Sequence, residues 1–142
     1  MLGCNQRKAE TVAYLGEGFT FFYPTDLSIR VKTPVEDFQI ITLTRSKDVV
    51  LELYVGNNPD FPPEDSDEPI DVATTPSGAV ARSVAHTRDD GTQDREVLFD
   101  LTTGNEWPQY VHCWYKSLSP ELAATADKII ESLQTGPPRN TP

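Results

Sequence analysis

Six carboxylates lie close together in the middle of the chain, with no Lys or Arg between them. They are Asp60, Glu64, Asp65, Asp67, Glu68 and Asp71. Carboxylates at this spacing suit a hard cation such as Ca²⁺, but the glycine turn and the closing glutamate of an EF-hand loop are missing. Three prolines, Pro62, Pro63 and Pro69, stiffen the stretch. It is therefore either a solvated loop, a rigid negative surface for a basic partner, or a calcium site. We take partner binding as the functional hypothesis for Asp60, Glu64, Asp65, Asp67 and Glu68.

Aromatic side chains crowd a second region, just before the C-terminal helix. Alternation along a strand places Trp107, Val111, Cys113 and Tyr115 on one face, and Tyr110, His112 and Trp114 on the other. One set is expected under the helix. The other forms either a second layer of core or an exposed patch of the kind found at protein interfaces. We predict Tyr110 and Trp114 as partner-binding residues.

The residue inventory argues against catalysis. His86 and His112 are the only imidazoles, and no Gly-x-Ser-x-Gly turn is present. Cys113 cannot form a dyad with His112, because neighbours on a strand point to opposite faces. The carboxylates Asp89, Asp90, Asp94 and Glu96 flank a predicted exposed hairpin, where little would raise a pKa. The sequence predicts no enzyme, no cofactor and no metal site. A small carboxylate-dependent hydrolase stays as a remote alternative.

Composition narrows the class of partner. The 142 residues are enough for one domain, and 37% of them are hydrophobic. Twelve Lys and Arg against 22 Asp and Glu give a net charge of −10. Nucleic-acid phosphates repel such a surface, so we expect no nucleic-acid partner and favour a basic protein. We expect the domain to be monomeric on its own.

The elements that must hold these residues are mostly strands. Alternating or β-prone stretches predict strands at 19–23, 27–32, 38–44, 49–55, 79–87, 95–102 and 107–116. A helix is predicted from about Pro120 to Leu133, because Ser119 suits the N-cap and apolar residues recur at helical spacing. The predicted class is α+β. An antiparallel sheet of about six to seven strands carries the C-terminal helix on one face. The domain spans 11–134, followed by a disordered tail at 135–142.

Two short motifs resemble the PsbP/Mog1-like domains. They are the aromatic segment Gly18-Phe19-Thr20-Phe21-Phe22-Tyr23-Pro24 and the helical segment Ala126-Asp127-Lys128-Ile129-Ile130-Glu131-Ser132-Leu133. The resemblance implies a short strand, an aromatic strand, an antiparallel meander and a terminal helix. It also implies a binding fold without catalytic residues, found in photosystem accessory proteins, transport regulators and envelope lipoproteins. Family members carry more helix in the middle, where Phe61 to Ser77 is rich in Pro and Asp.

The first ten residues carry a different resemblance. Leu2-Gly3-Cys4, followed by polar Asn5 to Glu10, is similar to the end of a bacterial lipoprotein signal. That similarity implies a lipid on Cys4 and a tether over residues 1–10. A cytosolic start with two reduced thiols is the alternative, and a Cys4–Cys113 disulfide ranks third.

Together these observations predict a non-catalytic protein-binding module of the periplasm or cell envelope. Its most concrete form is an immunity or inhibitor protein that binds a basic secreted toxin or cell-wall hydrolase. The alternative is a PsbP-like accessory lipoprotein of a membrane complex. Membrane contact is expected only through the lipid on Cys4.

Overall fold

The computed structural model describes residues 10–35, 37–62, 69–101 and 106–136, which form ten strands and one helix. The elements are β1 (Thr11–Leu15), β2 (Phe19–Pro24), β3 (Ser28–Val35), β4 (Phe38–Arg45), β5 (Asp48–Gly56), β6 (Asp71–Thr74), β7 (Val80–Thr87), β8 (Gln93–Asp100), β9 (Tyr110–Leu118), α1 (Pro120–Glu131) and β10 (Gln134–Thr135). Every strand pair is antiparallel. The α+β class and the C-terminal helix are confirmed.

The strands of the described residues divide into two sheets. The larger has seven strands in the order β3-β4-β5-β9-β8-β7-β6, and the smaller has the order β1-β2-β10. The predicted number of six to seven strands agrees with the larger sheet in count, but the predicted strand at 19–23 belongs to the smaller sheet and β6 of the larger sheet was not predicted. The smaller sheet was not foreseen, because nothing local distinguishes a strand that joins the main sheet from one that leaves it.

The core lies on one face of the large sheet. In β5, Leu51, Leu53 and Val55 are buried, whereas Glu52 and Tyr54 point to the opposite face, as alternation predicts. In β9, Val111, Cys113 and Tyr115 belong to the same core, and Trp107 packs against it. Helix α1 contacts β5, β8 and β9. The core is completed by apolar residues of α1 and by Phe19 and Phe21 of β2. The helix and the small sheet thus bury this face together.

Helix α1 begins as predicted and ends two residues early. Ser119 Oγ accepts a 3.3 Å hydrogen bond from Leu122 N at the N-terminus. The predicted apolar stripe packs inward. Ala126, Ile129, Ile130 and Leu133 are buried, while Leu122 is only partly so. Ser132 terminates the helix, because Gln134 and Thr135 leave it to pair with β2.

The C-terminal end of α1 is fastened to the aromatic strand. Ser132 Oγ accepts a 2.9 Å hydrogen bond from Phe22 N and lies 3.2 Å from Phe22 O. Thr135 pairs with Phe19, and Gly136 N donates to Gly18 O at 2.8 Å. Thr135 and Gly136, which the sequence assigned to a tail, are therefore part of the folded structure. Residues 137–142 lie outside the described part of the chain.

One strand boundary and one whole strand also differ from the sequence prediction. Strand β9 begins at Tyr110 rather than Trp107, because Pro108 has no N–H to donate to a ladder. Strand β6 was missed altogether. All four of its residues are exposed, so it shows no hydrophobic alternation. The Asp89-Asp90-Gly91 turn does join β7 to β8, with Gly91 at φ 88°.

Candidate functional site

The large sheet has a second face that neither α1 nor any other described strand or helix covers. We call it the open face. Registers across β4, β5, β9 and β8 arrange its side chains in rows perpendicular to the strands. One row joins Ile40, Tyr54, His112 and Leu98, and the next joins Thr42, Glu52, Trp114 and Glu96. The aromatic residues therefore sit in the middle of the sheet rather than at an edge.

Trp114 lies between two carboxylates. Glu52 of β5 is its cross-strand partner on one side, and Glu96 of β8 is its partner on the other. Directly opposed residues have Cβ atoms about 4.5–5.5 Å apart, so both carboxylates are within reach of the indole. All three side chains are half-buried. The indole surface is thus bordered by negative charge.

His112 joins this row to an aromatic cluster. Its Nε2 lies 2.9 Å from Glu96 Oε1, and because a carboxylate only accepts, the imidazole donates at that nitrogen. Its ring centroid lies 5.0 Å from that of Trp114, and Phe61 packs edge-on at 5.7 Å. Only 5% of His112 is exposed. It holds Glu96 and Trp114 in place rather than offering a free imidazole.

Tyr54 supports the segment that follows β5. Its ring stacks on Phe38 at 5.4 Å, and its hydroxyl accepts a 2.9 Å hydrogen bond from Asn58 N. Asn57 Oδ1 in turn accepts a 3.0 Å hydrogen bond from Gln109 N. These contacts fix the direction in which the chain leaves the sheet, so that Asp60 and Phe61 come to lie beside the open face.

A groove of about 380 Å³ runs through this arrangement. Its lining combines aromatic rings with charged and amide groups: Phe38, Tyr54, Asn58, Asp60, Glu96, His112, Trp114 and Lys116. The volume is within the range of small-ligand sites, about 300–1,000 Å³. Rings and carboxylates around one depression suit a cationic group better than an anionic or purely apolar one.

The structure brings together part of the predicted site. Asp60 and Trp114 both line the groove. Tyr110 is half-buried on the same face, in a row with Gly56 and Asp100. Glu64, Asp65, Asp67, Glu68 and Cys4 lie outside the described residues. Asp71 is exposed in β6.

The face of β9 that carries His112 was predicted to be either a second layer of core or an exposed patch. Each of these interpretations describes part of that face. His112 and Leu98 are buried, as a second core layer requires. Trp114, Tyr110 and Tyr54 remain half-buried. The open face therefore combines two buried side chains, His112 and Leu98, with three partly exposed aromatic rings.

The groups considered for catalysis are engaged in structural roles. Cys113 is fully buried on the core face, and loss of hydration raises the pKa of its thiol. Asp94 accepts hydrogen bonds from Arg88 and from Ser117 N. Burial acts to raise the pKa of Asp94, but these bonds and the charges of Arg88 and His86 outweigh it and lower the pKa. Hydrogen bonds from Thr92 lower the pKa of Asp90.

Sequence reasoning missed Phe38 and Tyr54, which line the groove, and also Phe61 and Glu52, which lie beside His112 and Trp114. Alternation in β5 already places Glu52 and Tyr54 away from the core. What the sequence lacked was the pairing of β5 with β9, which brings them beside Trp114 and His112.

Comparisons with known proteins add no relative. No protein-family model matches the chain, and a search of curated proteins finds no match. Among the described residues, no helix is both long enough and apolar enough to span a membrane.

Proposed function

We propose that this chain is a non-catalytic protein-binding module whose open face docks a basic protein. The observation that carries the proposal is the position of Trp114, half-buried between Glu52 and Glu96 on a face that no other described strand or helix covers. Trp and Tyr are enriched at energetically dominant positions of interfaces, and Trp114, Tyr110 and Tyr54 border this face.

Charge supports a basic partner. The chain carries a net charge of −10, which accelerates encounter with a positive surface. Asp60 and Glu96 add negative charge to the lining of the groove, which also includes Lys116, and Glu52 lies next to Trp114 on the neighbouring strand. Complementary charges would fix the orientation of the partner, and the aromatic rings would supply the buried area.

The most concrete form of this function is an inhibitor or immunity protein for a basic secreted toxin or cell-wall hydrolase. A compact acidic domain with a preformed face suits the occlusion of a positively charged enzyme. This form places the protein in the periplasm or cell envelope, anchored through a lipid on Cys4. The structural support is the rigidity of the face, because Tyr54, His112 and Glu96 are held by hydrogen bonds.

The second candidate is a PsbP/Mog1-like accessory protein of a membrane complex. One observation favours it: the two segments that carry the resemblance lie in contact. Ser132 Oγ bonds to the backbone of Phe22, and β10 pairs with β2. The resemblance implies that an aromatic strand and a terminal helix both belong to the domain, and here the end of the helix is bonded to that strand. Under this assignment the open face would hold a subunit of an assembly rather than inhibit an enzyme.

The test is affinity capture from extracts of the source cells with three versions of the full chain. The first is unchanged. The second carries Trp114→Ala with Glu52→Gln. The third is a control with Glu17→Gln and Glu121→Gln, two exposed acids away from the open face. We expect a basic protein to be retained by the first and third versions and lost from the second.

The identity of the retained protein separates the two forms. A single basic enzyme, inhibited at equal stoichiometry, supports the inhibitor. Subunits of a membrane complex support the accessory role. Equal retention by all three versions would contradict the use of the open face, and turnover of a substrate by the chain alone would contradict a non-catalytic function.

A further inference from the structure

We infer that the open face binds one arginine side chain of the partner at Trp114, where the guanidinium stacks on the indole between Glu96, which lines the groove, and Glu52, the cross-strand neighbour of Trp114 on the other side. This inference rests on the proposed function, because it assigns the chemical group that the same face recognises. It is more specific than charge complementarity, since it names the group and its position.

The aromatic part of the site favours a cation. The negative face of an indole attracts a cation held within about 6 Å, and tryptophan does so most strongly. The His112 ring lies 5.0 Å from Trp114, and Tyr54 and Phe38 line the same groove. A cation held among these rings is partly desolvated, and partial desolvation strengthens its attraction to the indole.

The carboxylates favour a planar cation with several donors. Glu52 and Glu96 stand on opposite sides of Trp114, so a group lying flat on the indole meets an acceptor at each edge. A guanidinium stacks on aromatic faces and presents its N–H donors in its own plane, whereas an ammonium is a compact and strongly hydrated charge. Asp60 adds a third carboxylate at the border of the groove.

Lys116 sets the orientation of the bound guanidinium. It follows Trp114 by two positions on the same strand, so it lies on the same face and lines the groove beside Trp114. Like charges repel, and the incoming guanidinium is therefore directed away from Lys116, toward Glu52 and Glu96. Removal of the Lys116 charge is expected to tighten binding.

The probe is N-acetyl-arginine amide, titrated into the ¹⁵N-labelled full chain and followed by NMR. N-acetyl-citrulline amide is the matched control, because it has nearly the same shape without the charge. We expect saturable shifts of the Trp114 indole N–H and of the Glu52, Glu96 and His112 backbone amides. Affinity for the citrulline amide should be at least about tenfold weaker.

Variants test the position of the site. Trp114→Ala and the pair Glu52→Gln with Glu96→Gln should each weaken binding of the arginine amide by about tenfold. The Gln variants keep the shape and the acceptor for His112, so they remain informative if Trp114→Ala unfolds. Lys116→Met should tighten binding by about twofold. Glu17→Gln with Glu121→Gln should leave it unchanged.

Three outcomes overturn the inference: equal binding of the citrulline amide, equal or tighter binding of N-acetyl-lysine amide, or no shifts at these residues at the highest concentration that leaves the protein folded. Its failure is distinguishable from failure of the proposed function. If the Trp114→Ala, Glu52→Gln version still loses the captured partner while the arginine amide does not bind, the docking surface stands and the arginine site is wrong.

Discussion

The phenol ring of Tyr54 occupies the space that a side chain at residue 56 would need. A Cβ atom on Gly56 would lie 2.6 Å from Tyr54 Oη and 2.8 Å from Cζ, far closer than non-bonded atoms approach. With glycine at this position, the ring lies along the strand, stacks on Phe38 and accepts the hydrogen bond from Asn58 N. This fit links the sheet to the segment that carries Asp60 and Phe61.

Gly56→Ala should therefore displace Tyr54 and disturb the groove. We expect a loss of about 1–2 kcal/mol in the free energy of unfolding, because the ring stack and the Asn58 hydrogen bond are both broken. The measurement is denaturant unfolding of Gly56→Ala, Tyr54→Ala and the double variant. In the Tyr54→Ala background, Gly56→Ala should lower the free energy of unfolding by much less. An equal cost in both backgrounds would show that the clash with Tyr54 is not the cause.

A second prediction concerns the attachment of α1 to the sheet. Arg95 Nη1 of β8 lies 2.9 Å from Asp127 Oδ1 of α1, and Tyr115 Oη donates to the same oxygen at 3.0 Å. Asp127→Ala leaves a partly buried guanidinium without its carboxylate and should lower the free energy of unfolding by about 1–3 kcal/mol. Asp127→Asn, which keeps an acceptor for Tyr115, should cost less. An unchanged denaturation midpoint in Asp127→Ala would contradict this role.

The buried thiol gives a prediction at alkaline pH. Burial raises the pKa of Cys113 above the ordinary thiol value, so the folded state holds its proton where the unfolded state loses it. The associated stability is complete below about pH 8.5 and declines as the pH rises above it, by up to about 1.4 kcal/mol per pH unit. Burial and the charge of Asp127 also raise the pKa of Tyr115, which adds to the decline above about pH 10.

The measurement is denaturant unfolding between pH 8 and pH 10 of a Cys4→Ser chain with and without Cys113→Ala. The slope of stability against pH should be shallower when Cys113 is absent. In the Cys4→Ser chain, the remaining thiol should react with a thiol reagent at neutral pH only after denaturant is added. Rapid reaction of the folded chain would show that the core opens at β9.

A fourth prediction concerns acid. The pKa of Asp94 is lowered in the folded protein, although burial alone would raise it, because Arg88 and Ser117 N bond to the carboxylate. The ionised carboxylate contributes stability that is fully present above the pKa of Asp94 in the unfolded state, about 3.9. This stability is lost as the pH falls through the lower pKa of the folded state. Asp94→Asn should cost about 0.5–1 kcal/mol at pH 7, since the pair with Arg88 is partly exposed.

Asp89→Asn, an exposed position in the same hairpin, is the matched control. At pH 7 the melting temperature of Asp94→Asn should lie below that of the wild type, and this difference should shrink as the pH is lowered toward 2. The control should follow the wild type throughout. A difference in melting temperature that persists at pH 2 would mean that Asp94→Asn acts through packing instead of charge.

Local patterns were enough for most of the elements and for the division of their side chains into two faces. Alternation in β5 and β9 separated the two sets, since a strand presents successive residues to opposite faces, but it did not say which set enters the core. Ser119 and Pro120 marked the start of α1, because a hydroxyl at the N-cap and a proline in the first turn satisfy the same local rules in any fold. Strand β6 escaped these rules because it is exposed on both faces.

Tertiary structure decided what those patterns could not: which strands are neighbours. Strand β9 lies between β5 and β8, and only this order places Glu52 and Glu96 on the two sides of Trp114. The pairing of β10 with β2 was decided in the same way. The composition and periodicity of a strand fix its faces, whereas its partners and register follow from the packing of the whole core. The sequence by itself thus determined the amphipathic elements and the excess of negative charge, and the sheet order turned them into a site.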